Sequence, residues 1–127
     1  MADDALRHQA HADAIVARAA EQLRGVLREL AAAIDPFPTF PGTFFSYGIE
    51  VPLDDVPSEH GCVVLGEDGE LHELRLGLDV AGAADGDPAG LRAEERVPLE
   101  ELPPALFVLY AQRAVQAAVA YIERAAR

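Results

Sequence analysis

The side chains able to hold a metal or move a proton are few: four histidines, one cysteine, two serines and a surplus of carboxylates. Asp4, His8 and His11 would share an arc of about 60° on a helix beginning at the N-terminus, a ligand-like spacing. A third firm ligand is missing, and helix starts fray, so a solvated first turn is the reading adopted. His60, Cys62 and His72 form a second cluster by sequence. A two-residue hairpin turn at Asp68-Gly69 would put Cys62 and His72 on opposite faces of the sheet, where they cannot chelate one ion together. That register also sets Cys62 opposite Arg75, whose charge would favour the thiolate. A small, inert strand cysteine is the simpler expectation.

Carboxylates occur in adjacent pairs at Asp54-Asp55, Glu94-Glu95 and Glu100-Glu101. Hydrolases use two carboxylates at a defined separation, but side chains of neighbouring strand residues diverge. Turn solvation and helix-end electrostatics explain these pairs more cheaply. Ser46 and Ser58 lie outside any nucleophile-elbow pattern, and Gly82, Gly86 and Gly90 lack the lysine and the strand-to-helix context of a phosphate loop. The residues therefore predict no catalytic set, no cofactor and no metal, with an enzyme using Asp54, Asp55 or His60 as a minority alternative.

The elements that must position these groups follow from periodicity. Residues 3–34 read as a helix with Ile15, Val16, Ala19, Leu23, Val26, Leu27, Leu30 and Ile34 within about 120°. Asp35-Pro36 stops it, because a proline disfavours helical geometry in the residue before it. Residues 35–43 hold Pro36, Pro38 and Pro41 with Phe37 and Phe40, an extended apolar segment. Alternation at Phe45, Tyr47, Ile49 and Val51 predicts a half-buried strand that ends at Pro52. Residues 61–66 and 70–80 form a hairpin across Asp68-Gly69. Its core face would carry Val63, Leu65, His72, Leu74, Leu76 and Leu78, and its outer face Cys62, Val64, Leu71, Glu73 and Arg75.

Residues 81–90 are small and turn-forming, and are expected to be a flexible loop. The motif Val51-Pro-Leu-Asp-Asp-Val-Pro57 is echoed by Val97-Pro-Leu-Glu-Glu-Leu-Pro103, which reads as a shared strand-exit turn. By that analogy residues 91–97 form a fourth, edge strand whose charges discourage stray pairing. Pro103-Pro104 suits the first turn of a last helix.

That last helix, residues 103–127, is apolar over most of its circumference. Phe107, Tyr110, Ala114, Ala117, Ala118, Tyr121 and Ala125 form one stripe. Val108, Ala111, Val115, Val119 and Ile122 form another. One stripe can cover a sheet; the second needs another helix. The order predicts a single two-layer α+β domain spanning residues 1–127. Its antiparallel meander of three to four strands is flanked by long N-terminal and C-terminal helices. The Val108, Ala111, Val115, Val119 and Ile122 stripe is the candidate homodimer interface. Phe37, Phe40, Phe44 and Tyr47, with His72 as a polar contact, are the candidate apolar pocket.

A chain of 127 residues fits one domain. Its basic residues comprise ten arginines and no lysine among many alanines, a pattern of GC-rich bacterial genomes. The formal net charge of −12 argues against nucleic acid and anionic membrane as partners. The acidic start lacks the features of a signal peptide, a single cysteine forms no internal disulfide, and Gln112, Arg113 and Gln116 interrupt the most apolar stretch. The expectation is a cytoplasmic, homodimeric, non-enzymatic protein-interaction or adaptor module whose partners are a second copy of itself and another protein. The alternative is a small hydrophobic-ligand binder using residues 37–47.

Overall fold

The computed structural model describes residues 2–43, 46–56, 58–78 and 92–127. The element order is α1 (Ala2–Ala33), β1 (Ile49–Glu50), β2 (Cys62–Leu65), β3 (Leu71–Leu78), β4 (Arg92–Pro98) and α2 (Pro104–Ala125). The strands form one antiparallel sheet in chain order, with β1 and β4 at its edges. The α+β architecture, with four strands between two long helices, is the one the periodicity predicts. Both copies of the echoed motif leave an edge strand: Val51 follows β1, and Val97-Pro98 closes β4. Prolines are tolerated there because an edge has no second neighbour to bond. The expected flexible loop at 81–90, Leu91 and Phe44 lie outside the described residues.

The hairpin differs from expectation by one residue. Cys62 pairs with Leu74, Val63 with Glu73 and Val64 with His72. The turn takes three residues, Glu67, Asp68 and Gly69: the Gly66 amide donates to Glu70 C=O, and Gly69 adopts φ +79. A turn followed by one left-handed residue is the usual three-residue hairpin. A slip of one residue exchanges faces. Val63, Leu65 and Leu71 therefore point to the helices, while Cys62, Val64, His72 and Leu74 share the other face. Arg75 lies on the Leu71 side and is bound by Glu73, so it does not stand over Cys62.

The core sits between the sheet and both helices. It joins Ile49, Val51, Val63, Leu65 and Leu71 to Ala20, Leu27 and Ile34 of α1 and to Phe107, Tyr110, Ala111, Ala114 and Ala118 of α2. Arg24 stacks on Phe107, 4.1 Å from the ring centre, near the start of α2. The segment following α1 instead faces Ala117 to Arg124, near the end of α2, across a cleft. The two helices therefore run in the same direction.

The second face of the sheet is also buried: Val64 is 0% exposed, and His72 and Leu74 are each 4% exposed. The chain before β1 covers it. Ser46 Oγ donates to Glu94 on β4, and Arg96 of β4 donates to Tyr47 C=O. Contacts from the β1 end to the far edge strand carry residues 46–47 across the sheet. Arg96, one of the charges on this edge strand, also donates to Glu67 at 2.9 Å.

Candidate interaction surface

Helix α1 uses one flank to meet the hairpin. Arg28 donates to Glu70 at 3.1 Å, and Arg24 lies 3.9 Å from the same carboxylate. The other flank, with Leu23 and Leu30 half-buried against the core, faces α2. At 100° per residue the next arc outward on α1 holds Ile15, Ala19 and Val26. On α2 the corresponding arc holds Val108, Val115, Val119 and Ile122. Ile15 is 58% exposed, Val26 39% and Val119 40%, while Val108, Val115 and Ile122 are half-buried. The two arcs flank the seam between the helices and form one apolar strip on the side away from the sheet. Gln22 and Glu29 rim it on α1, and Gln112, Gln116 and Glu123 rim it on α2; all five are exposed.

One member of the expected stripe does not belong to this surface. Ala111 is 0% exposed and belongs to the core shared by the helices and the sheet. The contribution of α1 was not expected either. Its signal lay in the width of the apolar arc, since Ile15 and Val26 fall about 100° from Leu27, beyond what a single contact covers.

Of the residues expected to line an apolar pocket, Phe44 lies outside the described residues and the others are placed apart. Phe37 and Phe40 are half-buried, Phe37 against the core, and Tyr47 is 46% exposed. His72 is sealed under the second face, its ring against the Gly66 backbone. A cleft of about 620 Å³ lies nearby, between β1, the proline segment and α2. Its apolar walls are Pro38, Pro41, Pro52 and Ile49 on one side and Ala117, Ala120 and Tyr121 on the other. Glu50, Asp54, Gln116 and Arg124 supply its polar groups. Prolines line it rather than phenylalanines: the Phe40 amide bonds Ser46 C=O and the Gly48 amide bonds Pro38 C=O, which folds this segment back on itself beside β1.

Several residues with acid–base chemistry are engaged by neighbouring side chains. Tyr110 is fully buried, and its hydroxyl meets Ser58 Oγ at 2.6 Å and His60 Nδ1 at 3.0 Å. This pins residues 58–60 to α2. Arg113 donates two 2.9 Å bonds to Asp55, which hold the pKa of that carboxyl below its usual value. Asp54 is exposed at the cleft. The Arg96 bond likewise lowers Glu67, and the Arg75 bond, followed by the Gly61 amide, lowers Glu73. Burial, then the nearby Glu50 charge, raises the Cys62 thiol, the direction opposite to the thiolate-favouring alternative.

His72 Nε2 lies 3.0 and 3.1 Å from the two oxygens of Asp68. A carboxylate only accepts, so Nε2 carries the proton. Nδ1 is buried with no partner among the described residues. His72 and Cys62 share a face after all, yet no group of three His, Cys, Asp or Glu is placed to hold a metal among the described residues. At the N-terminus Arg7 engages Asp4, while His8 Nδ1 donates to Asp4 C=O at 2.6 Å.

By length and composition alone α2 could cross a membrane. Within the fold its Phe107, Tyr110, Ala111, Ala114 and Ala118 are spent on the core. No protein-family model, no curated protein and no solved structure matches the chain.

Proposed function

We propose that this chain is a non-enzymatic interaction module that works as a homodimer, joined through the outer face of its two helices. The observation that carries the reading is the uncharged strip of Ile15, Val26, Val119 and their half-buried neighbours, rimmed by polar side chains. An apolar patch with a polar rim is the anatomy of a protein contact.

A second copy suits it best. The strip is long and straight, and carries no charge that a self-contact would oppose. Its α1 part spans residues 15–33, about 28 Å at 1.5 Å per residue, and two helices together are about 20 Å wide. That is roughly 600 Å² on each protomer, or about 1,200 Å² in all, the lower end of specific interfaces. A two-fold axis would set the helix pairs face to face as a four-helix layer with the sheets outside. An interface of this size predicts a reversible dimer whose population depends on concentration.

Sedimentation velocity from low micromolar to submillimolar protein tests it. Wild type is expected to pass from monomer to dimer, while Val26→Glu and Val119→Arg remain monomeric with unchanged circular dichroism and melting temperature. A wild type that stays monomeric throughout, or variants that dimerise as well as wild type, would overturn the reading.

A further inference from the structure

We infer that the cleft beside β1 binds a short extended peptide carrying a basic side chain, added as a strand to the β1 edge and covered by α2. The argument starts from backbone bonds. The Val51 amide donates to Val63 C=O, so Ile49 and Val51 direct their polar groups toward β2, and those of Gly48 and Glu50 point outward. Outside β1 runs the proline segment. The Gly48 amide is satisfied by Pro38 C=O. Pro38 has no N–H to return the bond, so Gly48 C=O meets no donor among the described residues. Beyond Pro38 the pairing ends, which leaves the amide and carbonyl of Glu50 open as well.

Gly48 itself is buried with its carbonyl against the Pro38 ring, so the amide and carbonyl of Glu50 are the groups that open toward the 620 Å³ cleft that Gly48, Glu50 and α2 line together. They fit one antiparallel rung, in which a single peptide residue opposite Glu50 accepts from its amide and gives its own N–H to its carbonyl. Natural edges are usually blunted by charge, cover or strong twist. This one lies in a cleft whose other wall is Ala117, Ala120 and Tyr121 of α2, the arrangement used in strand addition between a sheet edge and a helix. From Gln116 to Arg124 the α2 wall is about 12 Å long, room for about four extended residues. Ala117, Ala120 and Tyr121 would take alternate apolar side chains.

Charge selects the partner. Glu50 and Asp54 stand at the β1 side of the cleft, neither with a cation partner among the described residues, in a chain of net charge −12. A lysine or arginine at the bonded position, opposite Glu50, would reach them. Arg124, at the far end, disfavours a second basic group there.

The test is amide-resolved NMR of the full ¹⁵N-labelled chain, titrated with two capped pentapeptides of alternating residues, Val-Lys-Val-Lys-Val and Val-Glu-Val-Glu-Val. The basic peptide is expected to shift signals of residues 48–51 and 117–124 saturably and to slow exchange of the Glu50 amide by about tenfold. The acidic peptide is expected to bind about tenfold more weakly or not at all. Glu50→Pro removes the outward N–H without touching the β2 ladder and should abolish binding, whereas Glu50→Gln should retain it at reduced affinity. Preserved signal dispersion checks that both variants fold. Absence of saturable shifts at these residues, equal binding of the acidic peptide, or unaltered binding by Glu50→Pro would overturn the inference. Binding to the Val119→Arg variant is expected to equal that of wild type, which separates this site from the proposed dimer face.

Discussion

Replacing Gly69 by alanine tests how the hairpin docks on α1. Gly69 has φ +79, and a Cβ placed there would lie 2.7 Å from Arg28 Cα and 3.1 Å from Arg28 N. The left-handed backbone costs an L-residue ~1–2 kcal/mol. The second contact is with helix backbone, which cannot rotate away, so the turn must withdraw from α1 at an overpacking cost of ~1–3 kcal/mol. Gly42 supplies the control: its φ is +86, yet a Cβ there meets nothing within 4 Å. Gly42→Ala therefore measures the backbone cost alone, including any loss of unfolded-state freedom. Gly69→Ala should be less stable than Gly42→Ala by ~1–3 kcal/mol. For a chain of this length about 4 °C corresponds to 1 kcal/mol, so the two melting temperatures should differ by roughly 4–12 °C. Urea unfolding followed by circular dichroism gives the same comparison at constant temperature. Equal destabilisation of the two variants would refute the contact between turn and helix.

Tyr110→Phe removes a buried hydroxyl whose partners can both turn to water, so it should cost ~1–1.5 kcal/mol and speed hydrogen exchange at residues 58–61, measured by mass spectrometry. His72→Leu exchanges a carboxylate bond for relief of the orphaned Nδ1; its stability should fall by no more than ~1 kcal/mol in urea, and a loss above ~3 kcal/mol would reveal a missed partner. Asp55, Glu67 and Glu73 have pKa values below those of the unfolded chain. Their contribution is complete above the ordinary carboxylate range and is lost as pH falls below it toward the folded values. Stability should therefore be level across neutral pH and decline below about pH 4.5. Asp55→Asn, Glu67→Gln and Glu73→Gln combined should flatten that decline, modestly because the carboxylates are solvent-screened.

Element order was legible from residue pattern because the apolar periods are long. Residues 3–34 and 103–127 repeat every 3.6 positions, and Pro36, Pro52 and Pro98 mark exits that the chain obeys. The hairpin register was not legible, for a physical reason. Asp-Gly serves a two-residue turn and a three-residue turn equally well, since both need the glycine left-handed. Alternation normally decides between them, but Val63, Val64 and Leu65 are all apolar because both faces of β2 are covered. The covering chain, residues 46–47, comes from a distant part of the sequence, and nothing in the strand announces it. The outer helical strip was half legible: α2 showed its surplus, whereas α1 concealed its own within an arc that looked like one face. The β1 cleft was invisible because it depends on which way two amides point and on a proline lying opposite one of them.

The helices that close this core are the first and last elements of the chain. Leu27 emerges from the ribosome with no Phe107 or Tyr110 to meet, and at ~5–20 residues per second the delay is on the order of ten seconds. During that interval α1 exposes its whole apolar arc, and the sheet, once formed, lacks one layer. Nascent chains stalled before residue 104 should therefore engage cellular holding factors, and release of the final helix should end that engagement in a single cooperative step.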